Sequence, residues 1–134
     1  YVSDATRTFA IGKISNEEKN VYEIVKESQK AGLKAVKPKI DCKKVDDACR
    51  EIINESGYGK YFIHSTGHGI GLDVHELPTI GPRSSTKLEK NMAITVEPGI
   101  YIPKKFGVRI EDSLVVTQKN PILLHKFTKE LLTL

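Results

Sequence analysis

Ala93-Ile94-Thr95-Val96-Glu97-Pro98-Gly99-Ile100-Tyr101-Ile102, followed by Val108-Arg109-Ile110-Glu111-Asp112-Ser113-Leu114-Val115-Val116-Thr117, decides the fold class of this chain. The short β-branched runs at 93–96, 100–102, 108–110 and 114–117 are separated by Pro, Gly and charged turns, a pattern that predicts a β-meander from Met92 onward. Upstream the period becomes helical. Ser15 with Glu18 three residues later is a capping box, and Val21, Ile24, Val25 and Ala31 or Leu33 fall at helical spacing. A helix is expected over Glu17–Ala31, with Gly32 and Pro38 marking its exit. A second is expected to start at a capping Asp41, carry the stripe Val45, Ala48, Cys49, Ile52 and Ile53, and end at Gly57 and Gly59.

The remaining segments are less regular. Thr8-Phe9-Ala10-Ile11 reads as a strand ended by Gly12, and Phe127–Leu132 as a short terminal turn. Tyr61–Ile80 is too polar and glycine-rich for a long element, with room for one short strand near its beginning. Two helices set against an antiparallel sheet make the expected class α+β.

Composition narrows the function. At 134 residues the chain suits one domain with a real core, and a charged fraction of 28% argues against disorder, a collagen-like repeat or a membrane protein. The net charge of +4 comes from lysines interleaved with acids, as on a solvated face, so nucleic-acid binding is not expected. Cys42 and Cys49 would share one helix face, too far apart to bridge, and no CxxC pair is present. They read as small buried hydrophobes in a reducing, cytoplasmic protein. The chain opens without methionine in a β-prone segment, Tyr1-Val2-Ser3-Asp4-Ala5-Thr6-Arg7-Thr8, and so reads as a fragment.

Chemistry concentrates in His64-Ser65-Thr66-Gly67-His68-Gly69-Ile70-Gly71-Leu72-Asp73-Val74-His75-Glu76, where imidazoles and glycines alternate at a density packing alone does not require. Imidazole is the commonest neutral metal ligand, and glycine lets backbone approach a ligand closely. The glycines do not make a phosphate loop, since no Lys-Ser or Lys-Thr follows. Asp4, His68, Glu97 and Glu111 could converge on a metal, and carboxylates with an imidazole suit Mn, Co, Fe or Zn. Taken singly, each reads as a plain surface charge or a hydrogen-bonded histidine rather than as a ligand. His125, beside Lys126, reads as a surface residue.

The ordered motifs Tyr1–Thr8, Thr66-Gly67-His68-Gly69-Ile70-Gly71, His75-Glu76-Leu77-Pro78, Val96-Glu97-Pro98-Gly99 and Val108-Arg109-Ile110-Glu111-Asp112 change that weighting. The chain resembles the catalytic domain of the pita-bread metallopeptidases, which include Xaa-Pro dipeptidases (prolidases), aminopeptidase P and methionine aminopeptidases. The resemblance implies a curved antiparallel sheet with two helices on its outer face, residues 1–134 forming a catalytic domain that lacks its first half. Glu97-Pro98-Gly99-Ile100-Tyr101-Ile102-Pro103 and Arg109-Ile110-Glu111-Asp112 look like the proline-directed branch. The implied reaction is hydrolysis of an Xaa-Pro bond in short peptides, with aminopeptidase P or methionine aminopeptidase activity, or a non-catalytic peptide-binding or chaperone module, as alternatives.

It further implies two divalent cations bridged by a water or hydroxide, Asp4 and Glu111 bridging both and His68 and Glu97 completing the first site. A further aspartate, eleven residues before the one matching Asp4, would fall upstream of Tyr1, so this chain is expected to hold one ion at most. Glu97 is implied as general base, His64 and His75 as flanking the substrate and steadying the oxyanion, and Arg109 as orienting Glu111 or a nearby carboxylate. The sheet edge left exposed by the missing half would favour self-association into a homo-oligomer or association with the missing segment.

Overall fold

The computed structural model describes all 134 residues. Helix α1 spans Asn16–Ala35 and carries the expected capping box: Glu18 N–H donates to Ser15 Oγ at 3.2 Å, and Ser15 N–H to Glu18 Oε2 at 2.6 Å. It continues through Gly32, past the expected exit. Gly32 is a crossing point between helices rather than a cap: a Cβ there would lie 2.3 Å from Cys49 Sγ and 2.9 Å from Val96 Cγ1. Pro38 ends the helix by disfavouring helical backbone before it.

Helix α2, Cys42–Glu55, begins where the sequence indicates, but the Asp41 side chain does not cap it. That carboxylate pairs with Lys87 at 3.0 Å instead. Val45, Cys49 and Ile53 form the fully buried stripe, and the chain leaves the helix through Gly57 at φ +82°, a left-handed conformation glycine adopts without strain.

The five-stranded sheet comprises β1 (Gly67–Gly69), β2 (Glu76–Ile80), β3 (Ala93–Val96), β6 (Asp112–Val115) and β7 (Ile122–Leu123), in the order β2-β1-β3-β6-β7 with every neighbour antiparallel. The expected strands are present, but they do not form a simple meander. Strands β4 (Gly99–Ile102) and β5 (Phe106–Arg109) make a separate hairpin between β3 and β6. The ladder breaks at Pro98, which has no N–H to offer, while Glu97 N–H turns to Thr66 O at 2.7 Å. Tyr61–Ile80 yields two short strands, not one; β2 carries Pro78 because it is an edge strand, where a missing donor is tolerated.

Two terminal expectations are corrected. Thr8–Ile11 is not a strand: the first segment makes only isolated bridges, Thr6 to Glu111 and Ala10 to Thr133. Phe127–Leu132 is not a turn but an irregular tail, because long-range partners take its carbonyls: Arg7 reaches Phe127 O and Thr128 O, and Ala10 N–H reaches Leu132 O.

Ile94 and Val96 join Val21, Val25, Val45, Cys49 and Ile53 in the core beneath the helices. The two-residue period of β3 therefore turns Thr95 to the opposite face, the one carrying His68. No helix is long and apolar enough to cross a membrane.

Candidate metal centre and its cleft

Helix α2 fixes the loop that enters the site. Asp46, buried, pairs with Arg50 through both carboxylate oxygens and also accepts from Thr66 N–H at 3.2 Å and Thr66 Oγ1 at 2.8 Å. Arg50 donates onward to Phe62 O and His64 O, each at 3.0 Å, with its guanidinium 4.1 Å from the Phe62 ring centre. At Gly67 the strands come so close that a Cβ would lie 2.0 Å from Thr95 O. Thr95 Oγ1 then accepts from His68 N–H at 3.1 Å and donates to Glu97 Oε1 at 3.0 Å, so one hydroxyl sets two of the expected ligands.

The first segment is held from the other side. Asp4 O accepts from Ser113 Oγ at 2.6 Å and from His125 Nε2 at 2.9 Å. Arg7 lies under it, donating to Thr6 O, Glu111 O and Asp112 Oδ1 at 2.6–2.8 Å. Burial works to raise the Asp112 carboxyl, but hydrogen bonds from Arg7 and Lys129 outweigh it and hold the group below the usual carboxylate range.

These elements bring Asp4, His68 and Glu111 together, with one ligand atom from each within 4.8 Å of the others. His68 Nε2 lies 3.1 Å from Glu97 Oε1 and 3.6 Å from Asp4 Oδ2. His68 Nδ1 faces Gly69 O at 2.9 Å; a carbonyl only accepts, so Nδ1 carries the hydrogen, and in the neutral ring Nε2 keeps its lone pair. No lysine or arginine forms an ion pair with Asp4, Glu97 or Glu111. Burial, then the charges of Glu97 and Asp4, push the Glu111 carboxyl up to about 7 against the counteracting Thr6 hydrogen bond. Its Oε1 is buried with no hydrogen-bond partner. An orphaned carboxylate oxygen among three acids and a ligand-ready imidazole fits a divalent cation.

A cleft of about 610 Å³ opens over this cluster, lined among others by His64, His68, His75, Glu97 and Arg109. His75 is exposed, its ring centre 4.3 Å from that of His68. His64 Nδ1 faces Ser65 O at 2.7 Å and its Nε2 lies 2.8 Å from Tyr101 Oη. By the carbonyl argument Nδ1 is the donor, so Tyr101 donates to Nε2; burial raises the Tyr101 phenol and keeps it a neutral donor. Arg109 does not touch Glu111 directly. Its Nε donates to Thr6 Oγ1 at 3.0 Å, and Thr6 Oγ1 donates to Glu111 Oε2 at 2.5 Å. A neighbouring cleft of about 590 Å³, lined by Arg50, Phe62 and Arg83, shares His64 but none of the four ligands.

Sequence reasoning missed Thr6, Thr95, Tyr101 and Asp46. The first three lie beside residues it did single out; Asp46 gave no signal, because a buried acid on a helix looks like a solvated one. His125, read as a surface residue, is half-buried against Asp4, stacked on Phe127 with ring centres 5.7 Å apart.

The profile of metallopeptidase family M24 matches residues 1–118. The chain is 50% identical over 132 residues to an Xaa-Pro dipeptidase of Pyrococcus furiosus, covering 98% of this chain and 38% of that protein. Among solved structures it is similar to an Xaa-Pro dipeptidase from Bacillus anthracis (TM-score 0.96, 50% identity, 98% of this chain and 37% of that one). It is also similar to an X-Pro aminopeptidase from Thermotoga maritima (TM-score 0.94, 43% identity, 98% and 38%). The chain thus spans under two-fifths of the length of these relatives, and its fold is that of the corresponding part of the pita-bread prolidases.

Proposed function

The chain belongs to metallopeptidase family M24, and from that premise we propose that the protein carrying it hydrolyses Xaa-Pro bonds in short peptides as a prolidase-like enzyme. The observation that carries this reading is the convergence of Asp4, His68 and Glu111, with Glu97 against His68, beneath an open cleft. Family membership implies divalent metal ions. Asp4, His68, Glu97 and Glu111 would hold one, and two in a protein supplying a further carboxylate; Mn, Co, Fe and Zn all suit the donors. Such ions supply Lewis acidity and make hydroxide available near neutral pH.

The chain's own residues do the rest. Glu97, fixed by Thr95 Oγ1, takes the proton of the attacking water and passes it to the leaving proline nitrogen. His75, exposed in the cleft beside His68, donates to the oxyanion of the tetrahedral intermediate. His64, with both ring nitrogens engaged, acts by orienting the Tyr101 hydroxyl. Arg109 acts on Glu111 through Thr6. The buried free thiols of Cys42 and Cys49 agree with a reducing, cytoplasmic setting, and exposed Ile122-Leu123-Leu124 supports self-association through edge strand β7.

Retention of all four ligands favours an enzyme over a binding module of the same fold. Aminopeptidase P activity is the second reading, supported by the likeness to the Thermotoga aminopeptidase. Assay of the protein with added Mn²⁺ or Co²⁺ on an Xaa-Pro dipeptide and on a tripeptide with proline second separates them. Cleavage of the dipeptide is expected; release of methionine from Met-Ala peptides alone overturns both.

A further inference from the structure

Asp4 lies outside any regular element, and its main chain is gripped at a single atom. Its carbonyl oxygen accepts from Ser113 Oγ of β6 and from His125 Nε2 of the C-terminal tail. The tail reaches this point because four further contacts tie it to the first segment and to the buried Asp112. Arg7 holds Phe127 O and Thr128 O, Lys129 pairs with Asp112 at 2.5 Å, and Leu132 O accepts from Ala10 N–H. His125 lies past residue 118, where the family match ends.

We infer that His125 is a positioning residue for the metal site, setting Asp4 through its carbonyl. A carbonyl oxygen only accepts, so His125 Nε2 is the donor, and the near-parallel stack on Phe127, at 12°, turns its ring so that this N–H points at Asp4 O. The Asp4 carbonyl carbon is bonded to the Cα from which the carboxylate springs. Fixing the carbonyl from two directions therefore fixes where Oδ2 stands relative to His68 Nε2, 3.6 Å away. Without His125 only Ser113 holds the Asp4 carbonyl, and the peptide between the Val2 N–H bond to Gly71 O and the Thr6 bridge to Glu111 can rock about it. The role is one of geometry: His125 has no ligand atom in the cluster and donates to a backbone atom alone.

The inference rests on Asp4 being a ligand, so the test separates the two. Mn²⁺ affinity of the purified protein is measured by calorimetry for wild type, Asp4→Asn, His125→Ala and His125→Gln, with circular dichroism and melting curves on each. The expected result is that Asp4→Asn loses most of the affinity and His125→Ala weakens it roughly 10-fold, the lower end for residues supporting a ligand. His125→Gln, whose side-chain amide can still donate, should restore it to within about 3-fold. Wild-type affinity in Asp4→Asn overturns the ligand reading itself. Loss in Asp4→Asn with wild-type affinity in His125→Ala overturns the inference and leaves that reading intact. Where His125→Ala fails to fold, His125→Gln decides: folded with near-native affinity supports the inference, folded with affinity as poor as Asp4→Asn overturns it.

Discussion

Asp46 in α2 accepts from both the amide and the hydroxyl of Thr66, two residues before His68, so a helix without any residue in the cleft holds the strand that supplies the imidazole. Asp46→Ala would orphan Thr66 and unpair the half-buried Arg50, and should cost roughly 3 kcal/mol of stability. Asp46→Asn keeps an acceptor for Thr66 and should cost less. Urea denaturation of both variants checks this; a loss under about 1 kcal/mol for Asp46→Ala would mean the contact is dispensable.

At the helix crossing two rules disagree in sign. Helix propensity alone favours Gly32→Ala by about 1 kcal/mol. The new methyl would meet Cys49 Sγ and Val96 Cγ1, and overpacking of that kind costs roughly 1–3 kcal/mol. Packing should win, and adding Cys49→Ala should recover part of the loss in a double-mutant cycle. A stabilised Gly32→Ala would show that the helices part easily.

Burial pushes the Cys49 thiol up to about 12. A thiol raised on folding contributes stability that is intact below the unfolded value near 9 and is lost as pH climbs from there toward 12. Below pH 9 it should react with a disulfide reagent only when the protein opens. Labelling at pH 8 should track the population unfolded by urea; fast labelling of Cys49 in the native protein contradicts the burial.

His75 is exposed in the cleft and outside the cluster within 4.8 Å, so its contribution should be to turnover alone. In the active protein His75→Ala should lower kcat by roughly 10²-fold with bound metal unchanged. Near-normal turnover, or loss of metal, would refute a catalytic role.

Much of this was legible in the sequence, for reasons particular residues make plain. The capping box at Ser15 and Glu18 and the stripe through Val45, Cys49 and Ile53 are local signals, and they place both helices to within a few residues. The extent of α1 was not legible, because Gly32 answers to Cys49 and Val96, remote in the sequence, rather than to its neighbours. The same holds for the terminal segments. Thr8–Ile11 has strand composition, but its partner is the tail near Thr133, and neither sequence alone specifies that pairing. The four acidic and imidazole positions stood out through the words around them; the hydroxyls of Thr6 and Thr95 that orient them did not, since nothing in a threonine's immediate neighbours announces a hydrogen bond to a distant carboxylate.

The central claim is that Asp4, His68, Glu97 and Glu111 form one divalent-metal site. Mn²⁺ titration of this 134-residue chain, with bound metal counted by mass spectrometry, tests it most directly. The account predicts one Mn²⁺ per chain, with affinity reduced at least about 10-fold by His68→Ala and by Glu111→Gln in folded protein. Two tightly held ions, or binding unchanged in both variants, would contradict it.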